Sequence, residues 1–414
     1  MPADVLVTGM SAASLDAYLG HVGEGSIPAG ARREALARYA RLPVRENMRS
    51  GRSWKRDLAK LDLAGIPPFD PEQSVELDVE TLAPNARRAG VTIERFSKAR
   101  ELHRDAFEAA FGTAVDTTND KFASLALAFQ NHGVFVHVPA GVSLDEPLVL
   151  GYEARASALF PYTLVSVGEG SRITIIERFT AAAGAPFVCG IAELVLAARA
   201  HLTYAVDQRT AATTRVVMVR RATIGADATL EASFAELGSD YSVLRFHADE
   251  DAPGARAETS VVFFSDGDQH IDVETETVHV AGDTDSHTVV RTAGIGRGQG
   301  RFFGNIKILK SAHGSNAVLR DDALLLSKTA HIDSVPALEI AANDVKAFHG
   351  ATVGAISDEE LFYAESRGIA RADAEKMIAL GFFEPALERF PGEALREEIR
   401  RALEAKLVAS APTA

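Results

Sequence analysis

The side chains with the strongest claim to chemistry stand near the end of the 414-residue chain. The stretch from Asp344 to Arg367, DVKAFHGATVGAISDEELFYAESR, holds His349 at the end of a long run of short strands and just before the first convincing C-terminal helix. A side chain at such a junction is held by rigid structure on one side and reached by a partner on the other. An ordinary surface histidine is the plainer reading, since most histidines are not ligands. A second group, His270, Asp272, Glu274 and Glu276, alternates along one strand and would share a face as a hard-metal patch. Clean alternation produces such rows routinely on the polar face of a half-exposed strand, and that reading is preferred. The single cysteine, Cys189, lies in the apolar run PFVCGIAELVL and reads as a small buried hydrophobe. One thiol excludes an internal disulfide and a self-contained four-thiolate metal site, so any thiolate chemistry must borrow ligands. GIGRGQG at 294–300 lacks the Lys-Ser/Thr ending of a phosphate loop and the dinucleotide spacing, and reads as a tight turn. With no Walker, Gly-x-Ser-x-Gly or His-Glu-x-x-His pattern, ATP hydrolysis by this chain and hydrolase chemistry lose most of their support.

Composition narrows the partners. With 43 basic against 57 acidic residues the net charge is −14. An acidic surface disfavours nonspecific binding to nucleic acid or anionic membrane, which needs clustered Lys and Arg, and favours protein partners. The N-terminus lacks a basic segment followed by an apolar core, and no run approaches the ~20 apolar residues that span a bilayer, so a cytoplasmic location is expected. The length exceeds what one compact core holds comfortably, which calls for several domains or an elongated repeat.

Residues 1–120 read as helical and irregular, with apolar residues at three- and four-residue spacing in SLDAYLGHV, ARREALARYARL and KARELHRDAFEAAF. Arg49, Arg52, Lys55 and Arg56 surround the only tryptophan, Trp54. A solvated charged face with Trp54 anchoring a linker is preferred there over a docking element. From Lys121 the pattern changes to short runs such as VFVHV, YTLVSV, RITIIERF and RVVMV separated by small-residue and Asp/Gly turns, over residues 121–354.

A period runs through this region. SRITII from Ser171, AHLTYA from Ala200, ATLEAS from Ala228, AETSVV from Ala257, SHTVVR from Ser286, SNAVLR from Ser315 and DVKAFH from Asp344 begin 29, 28, 29, 29, 29 and 29 positions apart. Each period also holds a second strand-like run, which predicts a β-helix in which each coil pairs with the next. The fifth residues form an apolar column, Ile175, Tyr204, Ala232, Val261, Val290, Leu319 and Phe348, assigned to the interior. Side chains alternate across a strand, so the sixth residues, ending in Arg291, Arg320 and His349, are predicted to stack on one outer line with roughly 4.8 Å between strands. Over residues 355–414 helices return: Ser357 and Glu360 make a capping box, Gly368 fits a C-terminal cap, and ADAEKMIALGFF and GEALREEIRRALEAKL follow. Apolar residues there exceed what is needed to complete a β-helix, which suggests a bound partner.

These residues resemble a known family. DVKAFHGATVGAISDEELFYAESRGI, with LLLSKTAHIDSVPALEIAANDV before it, is similar to the C-terminal signature of the SufB/SufD family of iron-sulfur cluster assembly scaffolds, in its SufD form. RFFGNIKILKSAHGSNA, PYTLVSVGEGSRITIIERF, FVHVPAGVSLDEPLVL and LPVRENMRSGRSWKRDLAKL continue the likeness, which covers nearly the whole chain beyond residue 40. The resemblance implies a right-handed parallel β-helix flanked by helical regions, acting as a non-catalytic subunit of an ATP-dependent complex. It implies pairing with a SufB-like paralogue through the β-helix and docking of a SufC-type ATPase on the C-terminal helices, to which Leu361, Phe362, Phe382 and Phe383 would contribute. His349 would be the interface ligand for iron or a transient iron-sulfur cluster shared with a SufB-like cysteine, with Arg291 and Arg320 supplying positive potential, and a flavin would bind in the assembled complex. Many SufD sequences carry a cysteine two residues before this histidine, where Ala347 stands here.

Two other readings stay open. Two copies could pair through the same β edge as a homodimer without a SufB-like partner. A carbohydrate-active β-helix enzyme would need carboxylates on an open groove, for which His270 to Glu276 is the one candidate, and the lack of aromatic platforms weighs against it.

Overall fold

The computed structural model describes residues 9–22, 27–43, 45–47, 55–57, 61–70, 83–182 and 184–409. The chain opens with α1 (Ala12–Val22), α2 (Ala29–Arg41), the antiparallel pair β1 (Arg45–Asn47) and β2 (Lys55–Asp57), α3 (Pro84–Arg88), β3 (Thr92–Arg95), α4 (Phe96–Leu102), α5 (Arg104–Ala110) and α6 (Lys121–Phe129). Trp54, Arg49 and Arg52 lie outside the described residues, as do the side chains of Lys55 and Arg56.

Strands then alternate between two parallel sheets. One holds β4 (His132–Val138), β6 (Pro161–Val167), β8 (Phe187–Leu196), β10 (Arg215–Ile224), β12 (Tyr241–Glu250), β14 (His270–His279), β16 (Gln299–Ile308) and β18 (His331–Ile340), with β3 added antiparallel beside β4. The other holds β5 (Leu148–Ala154), β7 (Arg172–Ala181), β9 (His201–Arg209), β11 (Thr229–Glu236), β13 (Arg256–Ser265), β15 (Asp285–Gly294), β17 (Asn316–Leu325) and β19 (Lys346–Ala355). Each coil gives one strand to each sheet, so the protein is a parallel β-solenoid of about eight turns, as the period predicts. Alternation puts every second residue inside, where Val165, Leu194, Val216, Leu244 and Val273 of one sheet meet Ile175, Leu202, Phe234, Val261 and Val290 of the other. GIGRGQG is the tight turn between β15 and β16: Gly296 has φ 65°, and Gly298 passes so close to the Ser265 carbonyl that no side chain would fit.

Helices cover the outer faces. Phe96, Phe107, Phe122, Leu125 and Phe129 pack on Phe135, Tyr162, Leu164, Phe187 and Ile191, which point outward from the first coils of the nine-stranded sheet. Glu193 fastens this layer, accepting hydrogen bonds from the backbone N–H groups of Gly112 (2.7 Å), Ala114 (3.0 Å) and Val115 (2.7 Å) and from the Tyr162 hydroxyl (2.7 Å). The first residues of the predicted β region are helical instead: α6 is capped by Asp120, which accepts from Phe122 N and Ala123 N at 2.8 Å, and all its residues are buried. KFASLALAF is apolar on every side, and such a run carries no periodicity that separates a buried helix from a buried strand.

After β19 come α7 (Asp358–Ser366), α8 (Arg371–Leu387) and α9 (Glu393–Ala409). Rather than closing the end of the solenoid, α8 and α9 lie along its flank. Phe383, Leu387, Leu395, Ile399 and Leu403 cover Ile176, Ala205, Val262, Phe264 and Val289 on the outer face of the eight-stranded sheet. Ser260 Oγ donates to the Ala386 carbonyl at 2.9 Å, and Lys406 pairs with Asp266 at 2.5 Å.

The expected register holds in part. Ile175, Tyr204 and Ala232 stack, and so do Val261 and Val290. Between β11 and β13, however, the partners are 27 residues apart, Ala232 facing Thr259, and between β15 and β17 they are 31 apart, Thr288 facing Leu319 and Val290 facing Asp321. Ala257 and Ser286 are equivalent, whereas Ser286 pairs with Ala317, so Ser315 and Asp344 are not. Offsets that differ from 29 by two residues keep inward residues inward. Between β17 and β19 the offset is 30, with Leu319 facing His349, and a one-residue change turns every side chain of the strand to the opposite face. Phe348, expected inside, is therefore outside and 49% exposed, and His349, expected outside, points inward.

This parity is testable by paired substitutions. Val290→Asp places an unpaired charge among wholly buried neighbours and is expected to cost several kcal/mol, whereas Phe348→Asp on the outer face should change stability by no more than about 1 kcal/mol. Thermal melting of the two variants checks it; equal losses would mean that Phe348 is also inside.

Candidate functional site

The last coil has an inner face that nothing stacks upon. β18 and β19 are the terminal strands of their sheets, and among the described residues no further strand pairs with either. Ile340 faces Ile308 and Val353 faces Ala323, both inward positions, yet Ile340 is 46% and Val353 47% exposed because the next coil is missing. An exposed solenoid interior with two free strand edges is a surface built to be covered.

His349 sits in this end chamber. On its own strand the inner-face neighbours are Ala347 and Ala351, whose methyl groups leave room around the ring. The imidazole is half-buried, and its Nδ1 is sheltered from solvent with no hydrogen-bond partner. One strand back, Asp321 also points inward and is fully buried. Ser334 donates to its Oδ2, while Oδ1 has no partner. Burial pushes this carboxyl up to about 7, with the Asp322 charge adding to the effect and the Ser334 hydroxyl and Arg291 opposing it.

The other residues singled out in the sequence lie elsewhere. Arg291 and Arg320 do not line up with His349: Arg291 faces Asp322 and Arg320 faces Gly350, all on the outer side of their strands. Arg291 pairs with Asp322 at 2.6 Å and stands 5.6 Å from the Phe382 ring centroid, and Arg320 lies 5.5 Å from that of Phe348. Their charge is on the opposite side of the sheet from the imidazole, so the expected electrostatic support of His349 is corrected on the same one-residue shift. Of the proposed docking residues, Leu361 and Phe383 are buried in the protein's own core and Phe382 is partly covered, which leaves Phe362, 72% exposed. Tyr363 on the same helix is 61% and Met377 on α8 53% exposed, and the helical spacing of Leu361 and Ala364 toward the core would have revealed the outward side of α7. His270, Asp272, Glu274 and Glu276 do share the outer face of β14, but their partners are protein groups. His247 lies 3.4 Å from Glu274 and 3.6 Å from Glu276, the Tyr241 hydroxyl donates to Asp272 at 2.9 Å, and Asn305 donates to Glu276 at 2.7 Å. No group of three or more His, Cys, Asp or Glu side chains able to hold a metal occurs among the described residues.

A feature missed in the sequence lies deeper inside. Glu177, Tyr204, Arg220 and Glu236 all face the interior and are buried. Glu177 accepts from Thr163 Oγ1 at 2.5 Å and from the Tyr204 hydroxyl, and lies 3.6 Å from Arg220, whose Nε donates to Tyr204 at 3.3 Å. The guanidinium is also 5.5 Å from the Phe179 and 5.8 Å from the Phe234 ring centroid. Parity gave the signal: in RITIIERF, Glu177 occupies the same face as Ile173, Ile175 and Phe179.

Comparison with known proteins agrees with this architecture. The family model described as SUF system FeS cluster assembly, SufBD core domain, matches residues 150–382, and that for the SufBD protein N-terminal region matches residues 79–150. The iron-sulfur cluster assembly protein SufB of Bacillus subtilis is 25% identical over 366 residues, covering 84% of this chain and 79% of the relative. A SufBD family protein of Staphylococcus saprophyticus is 25% identical over 369 residues with the same coverage, and one of Mycobacterium leprae is 29% identical over 266 residues, covering 63% of this chain and 31% of that protein.

The interior carboxyl of Glu236 has a pH signature. Burial raises it to about 7 despite Arg220 and a 3.0 Å hydrogen bond from Ser242. Because the folded state holds this proton more tightly than the unfolded chain, its contribution is fully favourable below about 4.5 and is lost as pH rises through about 7. Glu236→Gln, neutral throughout, should therefore gain stability relative to the parent between pH 5 and pH 8, by roughly 1–3 kcal/mol. Melting across that range reads the difference, and a pH-independent difference would contradict the burial of this carboxyl.

Proposed function

The chain belongs to the SufBD family of iron-sulfur cluster assembly proteins, and from that membership we propose that it is a SufD-like scaffold subunit that lends a histidine to a site completed by a SufB-like partner. The open end of the solenoid carries this reading. There His349 presents an unpartnered nitrogen, while the chain's one cysteine, Cys189, is buried away from it beneath α6. An imidazole can hold iron where a thiolate set is incomplete, and the missing thiolate would come from the partner. Iron and the nascent cluster are cargo in this scheme, and the subunit acts in the cytoplasm by holding and positioning rather than by catalysis. The partner's last coil would pair with the free edges of β18 and β19 and cover Ile340 and Val353.

A SufC-type ATPase would dock on the α7–α8 hairpin through Phe362, Tyr363 and Met377. Removing all residues after Gly354 would strip the cover from Val262 and Phe264, so point substitutions give the cleaner test. Phe362→Asp combined with Tyr363→Asp changes only exposed side chains and should reduce ATPase capture at least about tenfold with an unaltered melting curve. Undiminished capture would move the docking site elsewhere. The proposal extends to a flavin in the assembled complex, read by its absorbance in the purified complex and not in the chain alone.

A SufB-type, self-pairing scaffold is the second reading, favoured by the Bacillus subtilis SufB that matches over most of this chain. Co-purification separates the two: a cysteine-bearing paralogue recovered in equal amount supports the first, a homodimer that loads clusters alone supports the second. In the heterocomplex, His349→Ala should leave assembly intact and lower the iron and labile sulfide recovered. Normal loading in a complex shown to be assembled would leave His349 without a ligand role.

A further inference from the structure

Resting on the reading of His349 as a ligand, we propose that Asp321 is the second protein ligand of the end chamber, and that the two side chains form an open site for a divalent cation, ferrous iron in the working complex. Leu319 faces His349 and Asp321 faces Ala351 across β17 and β19, so Asp321 is the diagonal neighbour of His349 on the same inner face. Paired strands lie roughly 4.8 Å apart, so the two inward side chains, offset by one inward position along neighbouring strands, are placed to reach toward one ion between them.

The unmet valences point the same way. Asp321 is wholly buried, its Oδ2 satisfied by Ser334 and its Oδ1 by nothing. Nδ1 of His349 is likewise sheltered and unpaired. A buried polar atom left without a partner is costly, and a cation between these two atoms, with the imidazole in its Nε2–H tautomer, would satisfy both. Among the described residues no cationic side chain pairs with Asp321, and Arg291 points to the other face of the sheet and pairs with Asp322 at 2.6 Å. Ala351, directly opposite Asp321, offers only a methyl group.

One imidazole and one carboxylate suit a borderline divalent ion better than a preformed sulfide cluster, which prefers thiolates. Two ligands leave most of the coordination sphere open toward the uncovered end, where a partner's side chains would enter. The pair would thus admit iron as a bare divalent ion before sulfide and thiolate arrive.

Anaerobic titration of the purified full-length chain with Co²⁺, followed by its visible ligand-field bands, and with Fe²⁺ tests this. The parent should bind one ion, and Asp321→Asn, which keeps the acceptor for Ser334, should weaken binding at least about tenfold, as should His349→Ala, with little further loss in the double variant. Ser334→Ala should bind as the parent does; a loss as large as that of Asp321→Asn would assign the effect to packing and overturn the proposal. It is equally overturned if Asp321→Asn binds Co²⁺ like the parent, or if the parent binds none at millimolar metal. In the first of those cases normal cluster loading by the His349→Ala heterocomplex would sink the ligand reading separately, and reduced loading would leave it standing without Asp321.

Discussion

In a stacked parallel sheet each strand takes its facing from the strand before it, and this constraint governs every functional statement about the molecule. A coil may gain or lose two residues without consequence for what points inward, as the 27- and 31-residue offsets at β13 and β17 show. An offset of 30 at β19 reverses the strand. The reversal puts Phe348 outside, against Arg320, and puts His349 inside, where the residue is half-buried and its Nδ1 is sheltered from solvent. A side chain so placed becomes fully enclosed only when the end of the solenoid is covered.

The two ends of the solenoid are treated differently. At the N-terminal end β3 runs antiparallel beside β4, and the aromatic residues of α4 and α5 seal the adjoining outer face. At the other end the C-terminal helices could have closed the stack, but they fold back along the flank, where Phe383 and Leu403 bury the outward column that includes Val262. The consequence is that the last coil keeps its edges and its apolar interior exposed. Burying Ile340 and Val353 recovers roughly 25 cal/mol for each Å² removed from water, a gain available to any partner that extends the sheets.

Much of this was legible in the sequence. The repeat of SRITII through SNAVLR announces a solenoid because each coil has to bury the same face against its neighbour, and the resemblance carried by HGATVG points to the end that matters. What could not be read was parity. Segments such as SNAVLR and DVKAFH align at a spacing of 29, but the strand register depends on how many residues the intervening turns absorb, and that is set by backbone geometry rather than by apolar pattern. Which of the docking candidates are exposed was unreadable for a related reason: Phe382 and Phe383 are adjacent on a helix, where successive side chains point about 100° apart, so one is sunk in the core while the other stays near its rim. The outward row of β14 was legible from alternation alone, though not the Arg245, His247 and Asn305 side chains that engage it from neighbouring strands.

The interior charges bear on why the end chamber can hold reactive groups at all. A solenoid lined only with aliphatic side chains would force any inward carboxylate or imidazole to be unpaired. Here the lining already carries Glu177, Tyr204 and Arg220 in mutual contact, and Glu250 with His279 at 2.5 Å in a later coil. These charges face one another because strands roughly 4.8 Å apart bring inward polar side chains of neighbouring coils into reach. Asp321 lies on the penultimate strand of its sheet and His349 on the last, so beyond them no further coil adds polar neighbours, and among the described residues Asp321 Oδ1 and His349 Nδ1 have no hydrogen-bond partner.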